Sequence, residues 1–375
     1  MNFTVTGEQK EFRREIIRFV KNNLNDGDAL EEFSFDMWEK ISRFGLLGIT
    51  VSEEYGGLNE SYETAAMTFE TLGYACKNNG FIFAVANHVW VAQNILYLYG
   101  SSWLKDKYLH DMTSGKKIGS MAMTEANSGS DAMNMASNAH IEDGCYVLNG
   151  GKMFISNGPI ADVFIVFAVT GHQPDRRLTA FVIDKEFSGV RIGKTISKMG
   201  LGACPACELV FDNVRVPFEH VLGNPDGGKQ IMLGAVEWER CFEFAPHVGA
   251  MQRIMEECCE QARGRMQFGK PIAEYQAISH KIADMRVAVE MAKQMLYKIA
   301  WLKDNKRSAY CESAIFKLYV SENYINTCRD AMQIYGAYGY SSEYGVEKEM
   351  RDALASSIYS GTNEIQRNTI FSMTM

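Results

Sequence analysis

The sequence predicts an α+β fold in three successive parts: an N-terminal α-helical domain over residues 1–118, a middle antiparallel β-barrel over 119–222, and a C-terminal four-helix bundle over 223–375. Three observations carry this reading. Capped runs with an apolar side chain every three or four residues fill the first part. The pattern then switches to period two, and the turn dipeptides Asp143-Gly144 and Asn149-Gly150 stand between apolar runs, where both tolerate the positive φ of a tight hairpin. Long helical periodicity returns near residue 223 and lasts to the end.

Taken in order, Thr6 and Gln9 have capping-box spacing, and Phe12, Ile16, Phe19 and Val20 recur on one helical face behind them. Further helices are expected over 34–44, 61–76, 81–98 and 103–112, punctuated by Gly45, Gly56-Gly57, Asn79-Gly80 and Gly100. Strands are expected over 119–124, 145–148, 163–169, 179–183 and 208–211. Long helices follow over 228–266, 273–302 and 308–335, with a last one from 362, and these make the bundle. Pro246 falls inside the first of them, deprives the Phe242 carbonyl of its N–H partner and is expected to kink the helix near Glu239. No internal repeat, low-complexity tract or long linker appears, so the parts are expected to pack into one body.

Composition excludes several classes. A chain of 375 residues can bury a large core without staples, and its net charge of −8 argues against nucleic acid, which requires a basic stripe to displace counterions. The start, MNFTVTGEQKEFRREI, is charged and lacks the apolar core of a leader, and 81–100 is interrupted by Asn87, His88, Gln93 and Asn94, so no membrane span is expected. Nine cysteines, an odd count with Cys258 and Cys259 adjacent, suit buried thiols in a reducing, cytoplasmic setting. Cys204-Pro-Ala-Cys207 has no second pair or nearby histidines to complete a zinc site, so packing is expected there and no metal. No GxGxxG joins a strand to a helix, so a Rossmann nucleotide site is not indicated.

The loop 124–131, rich in hydroxyls and backbone N–H groups, is by itself a polar connection able to hold an anion. Its setting says more. MAMTEANSGSD, KMFISNGPIAD, KMGLGACPACELVFDNVRVP, RMQFGKPIAEYQAISHKIADM, QIYGAYGY and MRDALASSIYSGTNEIQR occur in this order along the chain. Together they resemble the acyl-CoA dehydrogenase superfamily over essentially the whole length, including its order of helical, barrel and bundle domains. The resemblance implies a non-covalent FAD. Met121, Met123, Thr124, Gly129 and Ser130 match the first flavin segment, with Thr124 toward the ring and Ser130 toward the pyrophosphate. Phe154, Ile155 and Ser156 match the second; Phe154 stands where the family usually has tryptophan, and Ser156 keeps the hydroxyl of the usual threonine. Arg265, Phe268 and Gln276 match flavin-reaching positions of the bundle. Gln333, Gly336 and Ala337 match a segment that reaches the flavin across a subunit interface, which implies a homotetramer or homodimer. Thr362 and Glu364 complete the set, although the glycines of YGAYGY also suit ordinary helix ends.

The family reaction removes the α-proton of a thioester with a glutamate while hydride passes to the flavin. Many members carry that glutamate directly before Gly-Thr, where this chain has Ser360. Others take it from the first bundle helix before an arginine, and Trp238-Glu239-Arg240 matches them. An acidic residue beside an arginine is more often solvated. Here Trp238, Cys241, Phe242 and Phe244 surround Glu239 with apolar bulk, which raises a carboxyl's pKa and suits it to act as the base. Glu237 and Glu243 are its rivals. The implied substrate pocket takes His88, Trp238, Arg240, Phe242, Ser360 and Gly361, with Trp90 beside His88. A lone histidine on an apolar helix is otherwise a hydrogen-bonded core residue.

Within the superfamily, ACPACE, Trp-Glu-Arg, Ser-Gly-Thr and FAVANH are most similar to the prolyl-carrier-protein dehydrogenases. The implied activity is oxidation of L-prolyl-S-peptidyl carrier protein toward the pyrrolyl thioester. The alternatives are a short- or branched-chain acyl-CoA dehydrogenase and an inactive flavin-binding scaffold. The partner is then a peptidyl or acyl carrier protein or CoA, with an electron acceptor the sequence does not identify. Lys303, Lys306 and Arg307 form either a carrier contact or a solvated helix end.

Overall fold

The computed structural model describes residues 6–24, 31–171 and 176–375, so the start of the chain, read above as carrying no leader, lies partly outside them. Thr6 caps α1 (Gly7–Asn23) with both hydrogen bonds of a capping box, and Ile16 and Val20 turn inward. Two further helices, α2 (Phe35–Arg43) and α3 (Tyr62–Ala75), open on Ser34 and Ser61, whose hydroxyls accept from Met37 N and Thr64 N.

The apolar run expected as one helix over 81–98 is a continuous rod of three pieces: α4 (Asn79–Ala86), a π-helical stretch Asn87–Gln93, and α5 (Asn94–Tyr99). The wide π turns coincide with side chains that bond outside the rod. His88 Nε2 donates to the Met112 carbonyl while Nδ1 accepts from Gly119 N, and Gln93 Nε2 donates to the Leu47 carbonyl. The rod is long and apolar enough to cross a membrane, yet 89% of its most apolar window is buried inside the molecule. α6 (Ser102–Thr113) leads from it into the sheet.

Eight strands follow: β1 (Gly119–Ala122), β2 (Asn138–Glu142), β3 (Cys145–Ser156), β4 (Val163–Val169), β5 (Leu178–Asp184), β6 (Val190–Thr195), β7 (Ala206–Val216) and β8 (Val221–Leu222). They form one sheet in the order β6-β7-β3-β2-β4-β5-β8, with β1 on β4. The expected all-antiparallel barrel is therefore corrected to a mixed sheet. Gly119 pairs with Val163 in parallel sense, because the β2–β3 excursion supplies the crossover that a parallel pair needs. Asp143 and Gly144, at φ 46° and 77°, make the expected hairpin between β2 and β3. Asn149-Gly150 makes a bulge within β3 instead of a turn, since the register shifts between Leu148 and Gly150. At φ 144° a Cβ on Gly150 would meet Ser137 Oγ at 2.3 Å, so only glycine fits.

The helical part holds α7 (Gly228–Phe242), α8 (Ala245–Gly264), α9 (Gln276–Asp304), α10 (Tyr310–Tyr335), α11 (Ala337–Tyr340), α12 (Val346–Ala355) and α13 (Asn363–Thr374), with a small hairpin, β9 (Met266–Gln267) and β10 (Lys270–Pro271). This exceeds the four helices expected. The run 228–266 is broken at Glu243–Phe244 instead of kinked, and Pro246 sits in the first turn of α8, where a missing N–H costs nothing. One apolar core joins the two helical parts, running through Ile16, Phe69, Trp90, Phe242, Val289 and Phe316. α3 and α8 touch so closely that a Cβ on Gly249 would lie 1.8 Å from the Glu70 carbonyl oxygen.

Candidate active site

The loop after β1 is tied to the bulged strand β3. Met153 N donates to the Thr124 carbonyl at 2.8 Å. Beneath the loop, Lys152 Nζ meets Glu125 Oε1 at 2.9 Å, and Glu125 also accepts from Ala136 N and Ser137 N. Burial alone would raise the Glu125 carboxyl, but these donors outweigh it and hold it below its usual range; burial lowers the Lys152 ammonium. This charged strut fixes the loop's path. Above it, Gly129 and Ser130 are exposed, and Met121, Met123 and Thr124 are half-buried.

Phe154 stands at the second irregularity of β3, at φ 59°, and its ring is 60% exposed. A large apolar ring held outward on a left-handed backbone is costly unless a partner covers it. Ile155 points into the sheet core, and the Ser156 carbonyl accepts from Ser120 Oγ at 2.6 Å. The two segments thus come together as a polar loop beside an open aromatic face. A flat ligand carrying an anionic tail fits this pairing.

A second constellation lies between α7, the π stretch and the turn before α13. Ser360 Oγ donates to Glu239 Oε1 at 2.6 Å and lies 3.2 Å from Glu243 Oε2, while Asn87 Nδ2 donates to Glu243 Oε1 at 3.3 Å. Helical geometry stacks residues four apart on one face, which is why both acids of α7 reach the same hydroxyl. Glu239 is 9% exposed and Glu243 1%. Burial raises the Glu239 carboxyl, partly offset by Ser360 and Arg240; burial and then the charge of Glu239 push Glu243 well above the carboxylate range.

The turn that presents Ser360 is held from two sides. Arg240 Nε donates to the Ser360 carbonyl at 3.1 Å, and Gln366 Nε2 donates to the carbonyls of Ser360 and Gly361 at 3.1 and 2.7 Å. Ser360 and Gly361 both adopt left-handed backbone, at φ 58° and 81°. Among the described residues no group accepts from the Ser360 N–H. Thr362 caps α13 by accepting from Ile365 N, and Glu364 follows it on the exposed side. Lys317 Nζ, bonded to Asn363 Oδ1 at 2.8 Å, is lowered by burial to about 7.

The remaining pocket candidates are distributed differently. Trp238 and Phe242 share the neighbouring face of α7 and join Tyr62 and Trp90 in an aromatic stack, with Trp90–Phe242 centroids 4.5 Å apart and Tyr62–Trp238 4.8 Å. Phe242 is fully buried within it. His88, expected beside the pocket, is fully buried with both nitrogens bonded to backbone groups, and burial lowers it to about 4. Among the rivals, Glu237 is paired with Lys303 and accepts from Ala309 N at 2.6 Å, which makes it a structural anion. Lys303 is consequently 8% exposed and lies 4.3 Å over the Trp238 ring, so it belongs to no surface patch.

Arg265, Phe268 and Gln276 surround the β9–β10 hairpin, all exposed, with Phe268 at 95%. Gln333, Gly336 and Ala337 are exposed at the α10–α11 junction. The Arg265 guanidinium lies 5.7 Å over the Tyr338 ring, which brings the two groups side by side on the outer surface. Cys204 and Cys207 are buried free thiols pushed up to about 12 and about 11 by burial. Sequence reasoning missed Asn87, Glu125, Lys152 and Gln366. Lys152 and Glu125 stood inside the matched motifs, and their opposite charges in otherwise apolar strand ends were a usable signal.

Three family models match the chain in succession: acyl-CoA dehydrogenase, N-terminal domain over residues 6–116, middle domain over 120–214, and C-terminal domain over 226–373. An L-prolyl-[peptidyl-carrier protein] dehydrogenase from a Serratia species is 35% identical over 99% of this chain and 97% of its own length. The crystal structure of the prolyl acyl carrier protein oxidase AnaB superposes with a TM-score of 0.97 at 38% identity, covering 99% of this chain and 100% of that one. PigA with FAD and proline superposes with a TM-score of 0.95 at 34% identity, covering 100% and 99%.

Proposed function

This chain belongs to the acyl-CoA dehydrogenase family, and from that premise we propose that it is an FAD-dependent dehydrogenase of a carrier-bound thioester, with L-prolyl-S-peptidyl carrier protein as substrate and the pyrrolyl thioester as product. The observation that carries the reading is the buried Glu239 carboxyl, held by the Ser360 hydroxyl beside a Ser360 N–H free to bind the substrate. A base for an α-proton needs a dry site, a fixed orientation and a raised proton affinity, and Glu239 has all three. The Ser360 N–H, aimed by Arg240 and Gln366 through the Ser360 carbonyl, would receive the thioester oxygen and acidify the α-carbon.

FAD, when bound, supplies the acceptor for the hydride. Thr124, Ser130, Phe154 and Ser156 would hold it, with Met121, Met123, Gly129 and Ile155 shaping the seat. Arg265, Phe268, Gln276, Gln333, Gly336 and Ala337, being exposed, would serve that site from a second copy in a homodimer or homotetramer. The aromatic stack of Tyr62, Trp90, Trp238 and Phe242 fills the side of α7 next to the base, which favours a compact ring over a long alkyl chain. The unpaired cysteines fit a reducing, cytoplasmic setting. The test is mass spectrometry of the carrier arm after incubation of the yellow protein with prolyl carrier. With a soluble electron acceptor added to reoxidise the flavin between two two-electron steps, loss of four hydrogens is expected. An unchanged prolyl arm beside rapid butyryl-CoA turnover would move the protein to the short-chain acyl-CoA enzymes.

A further inference from the structure

We propose that Glu243 is a positioning residue for the reaction: it carries a proton at neutral pH and donates through Ser360 Oγ, so that the serine hydroxyl is committed to the Glu239 carboxylate. This rests on the reading of Glu239 as the base. Ser360 Oγ has one hydrogen, and the 2.6 Å contact to Glu239 Oε1 claims it. Glu243 Oε2 lies 3.2 Å from the same oxygen. Two acceptors facing one another across an already committed hydroxyl form no bond, so the contact holds only if Glu243 supplies the hydrogen. The order is then Glu243 O–H to Ser360 Oγ, and Ser360 O–H to Glu239; the two carboxyls also stand close enough to interact directly, a contact that likewise requires Glu243 to hold the proton.

The surroundings agree with this count. Glu243 is met by Glu239 from its own helix, by Asn87 from the π stretch, by Tyr359 and Ser360 from the turn before α13, and by Cys204 from the loop before β7. None of these is a cation. Arg240 turns its guanidinium to the Ser360 carbonyl, Lys317 is bonded to Asn363, and His247 is bonded to Tyr359. Arg240 and Lys317 partly offset the charge of Glu239, whereas Glu243 is met by that charge and by no cation among the groups facing it, so in this dry space the pair retains one proton. Glu243, at 1% exposure, is the deeper member and keeps it; Glu239, at 9%, is left ionised and nearer the site's opening. Asn87 Nδ2 donates to the other oxygen of Glu243, which fixes the carboxyl plane and aims Oε2 at the serine. This also gives Ser360 a role at the position where many relatives carry the base itself: it hands the hydrogen bond of Glu243 on to Glu239.

Two readouts test the role. In infrared difference spectra between H2O and D2O at neutral pH, the wild-type protein should show the deuterium-sensitive carbonyl stretch of a buried carboxylic acid, and Glu243→Gln should lose it. In the pH profile of flavin reduction by the prolyl thioester, Glu243→Leu breaks the donor chain. The carboxylate form of Glu239 is then less favoured, its proton affinity rises, and the rising limb should move to higher pH by on the order of one unit. Glu243→Gln, whose amide N–H can still donate to Ser360, should return the limb toward the wild-type position. A limb that moves to lower pH in Glu243→Leu would mean that Glu243 was anionic, and would overturn the proposal. So would superimposed profiles, or an acid carbonyl band that persists in Glu243→Gln. Should the leucine variant fail to fold, the near-isosteric glutamine variant decides by infrared alone. Glu239→Gln separates the two readings: if it still reduces flavin, the base assignment falls and this role with it, whereas an inactive Glu239→Gln with a failed Glu243 result removes only Glu243.

Discussion

Glu239, the proposed base, owes its raised carboxyl to burial and its orientation to a hydroxyl 121 positions away in sequence. Replacing it by glutamine keeps the shape and removes the base, so flavin reduction should fall by at least ~100-fold with the fold intact; near-normal rates by stopped flow would pass the role to Glu243. Ser360→Ala keeps the backbone N–H but withdraws the donor from Glu239, so reduction should survive at high pH and its rising limb should shift upward. A profile identical to wild type would show that the hydroxyl contributes nothing. At this scale the sequence was partly legible. Trp-Glu-Arg and Ser-Gly-Thr are local strings that a family resemblance can match. The contact between Asn87 and Glu243 spans 156 positions, and no local pattern announces it.

Elements were legible where a single period or cap decides them and illegible where tertiary contacts do. Ser34, Ser61 and Thr362 cap their helices as their positions suggest. Strand β6 escaped because its side chains are all partly or fully exposed, leaving no inward alternation to see, and the π turns of the rod depend on partners elsewhere in the chain. The break between α7 and α8 was visible as Pro246 but misjudged in size, since proline in a first turn marks a beginning and not a kink. Beyond that break, α8 packs closely on α3 at Gly249. Gly249→Val should force the two apart and lower stability by about 1–3 kcal/mol, with flavin affinity little changed. Urea denaturation would check it; an unchanged midpoint would show that the contact relaxes freely.

Across the whole molecule, buried histidines contribute to the loss of stability in acid, beside the buried carboxylates of Glu125 and Glu349 that are held below their usual range. Burial lowers His88 to about 4 and His247 to about 3, so both are neutral in the fold, while an unfolded histidine takes a proton near pH 6.5. The unfolded chain therefore binds more protons below that pH, and stability present above about 6.5 should be lost as pH falls toward 4. Thermal midpoints over this range should decline, and less steeply in His88→Gln; a flat profile would contradict the assignment. The exposed face around Arg265 and Phe268 is the proposed contribution of a second copy to the flavin seat. Arg265→Ala should weaken FAD retention by removing a charge-assisted contact, and unchanged affinity on gel filtration would take Arg265 out of the site. The helical, β and helical order was legible from periodicity, whereas the mixed sheet was not, because parallel pairing between distant strands leaves no mark on either strand alone.

The proposed base, flavin seat and compact acyl group are tested together by anaerobic titration of the yellow protein. Prolyl-S-carrier protein should bleach the flavin absorbance stoichiometrically and far faster than butyryl-CoA or isovaleryl-CoA, and should leave Glu239→Gln oxidised. Flavin that stays oxidised with the prolyl carrier, or that is bleached equally in Glu239→Gln, would contradict the proposed function.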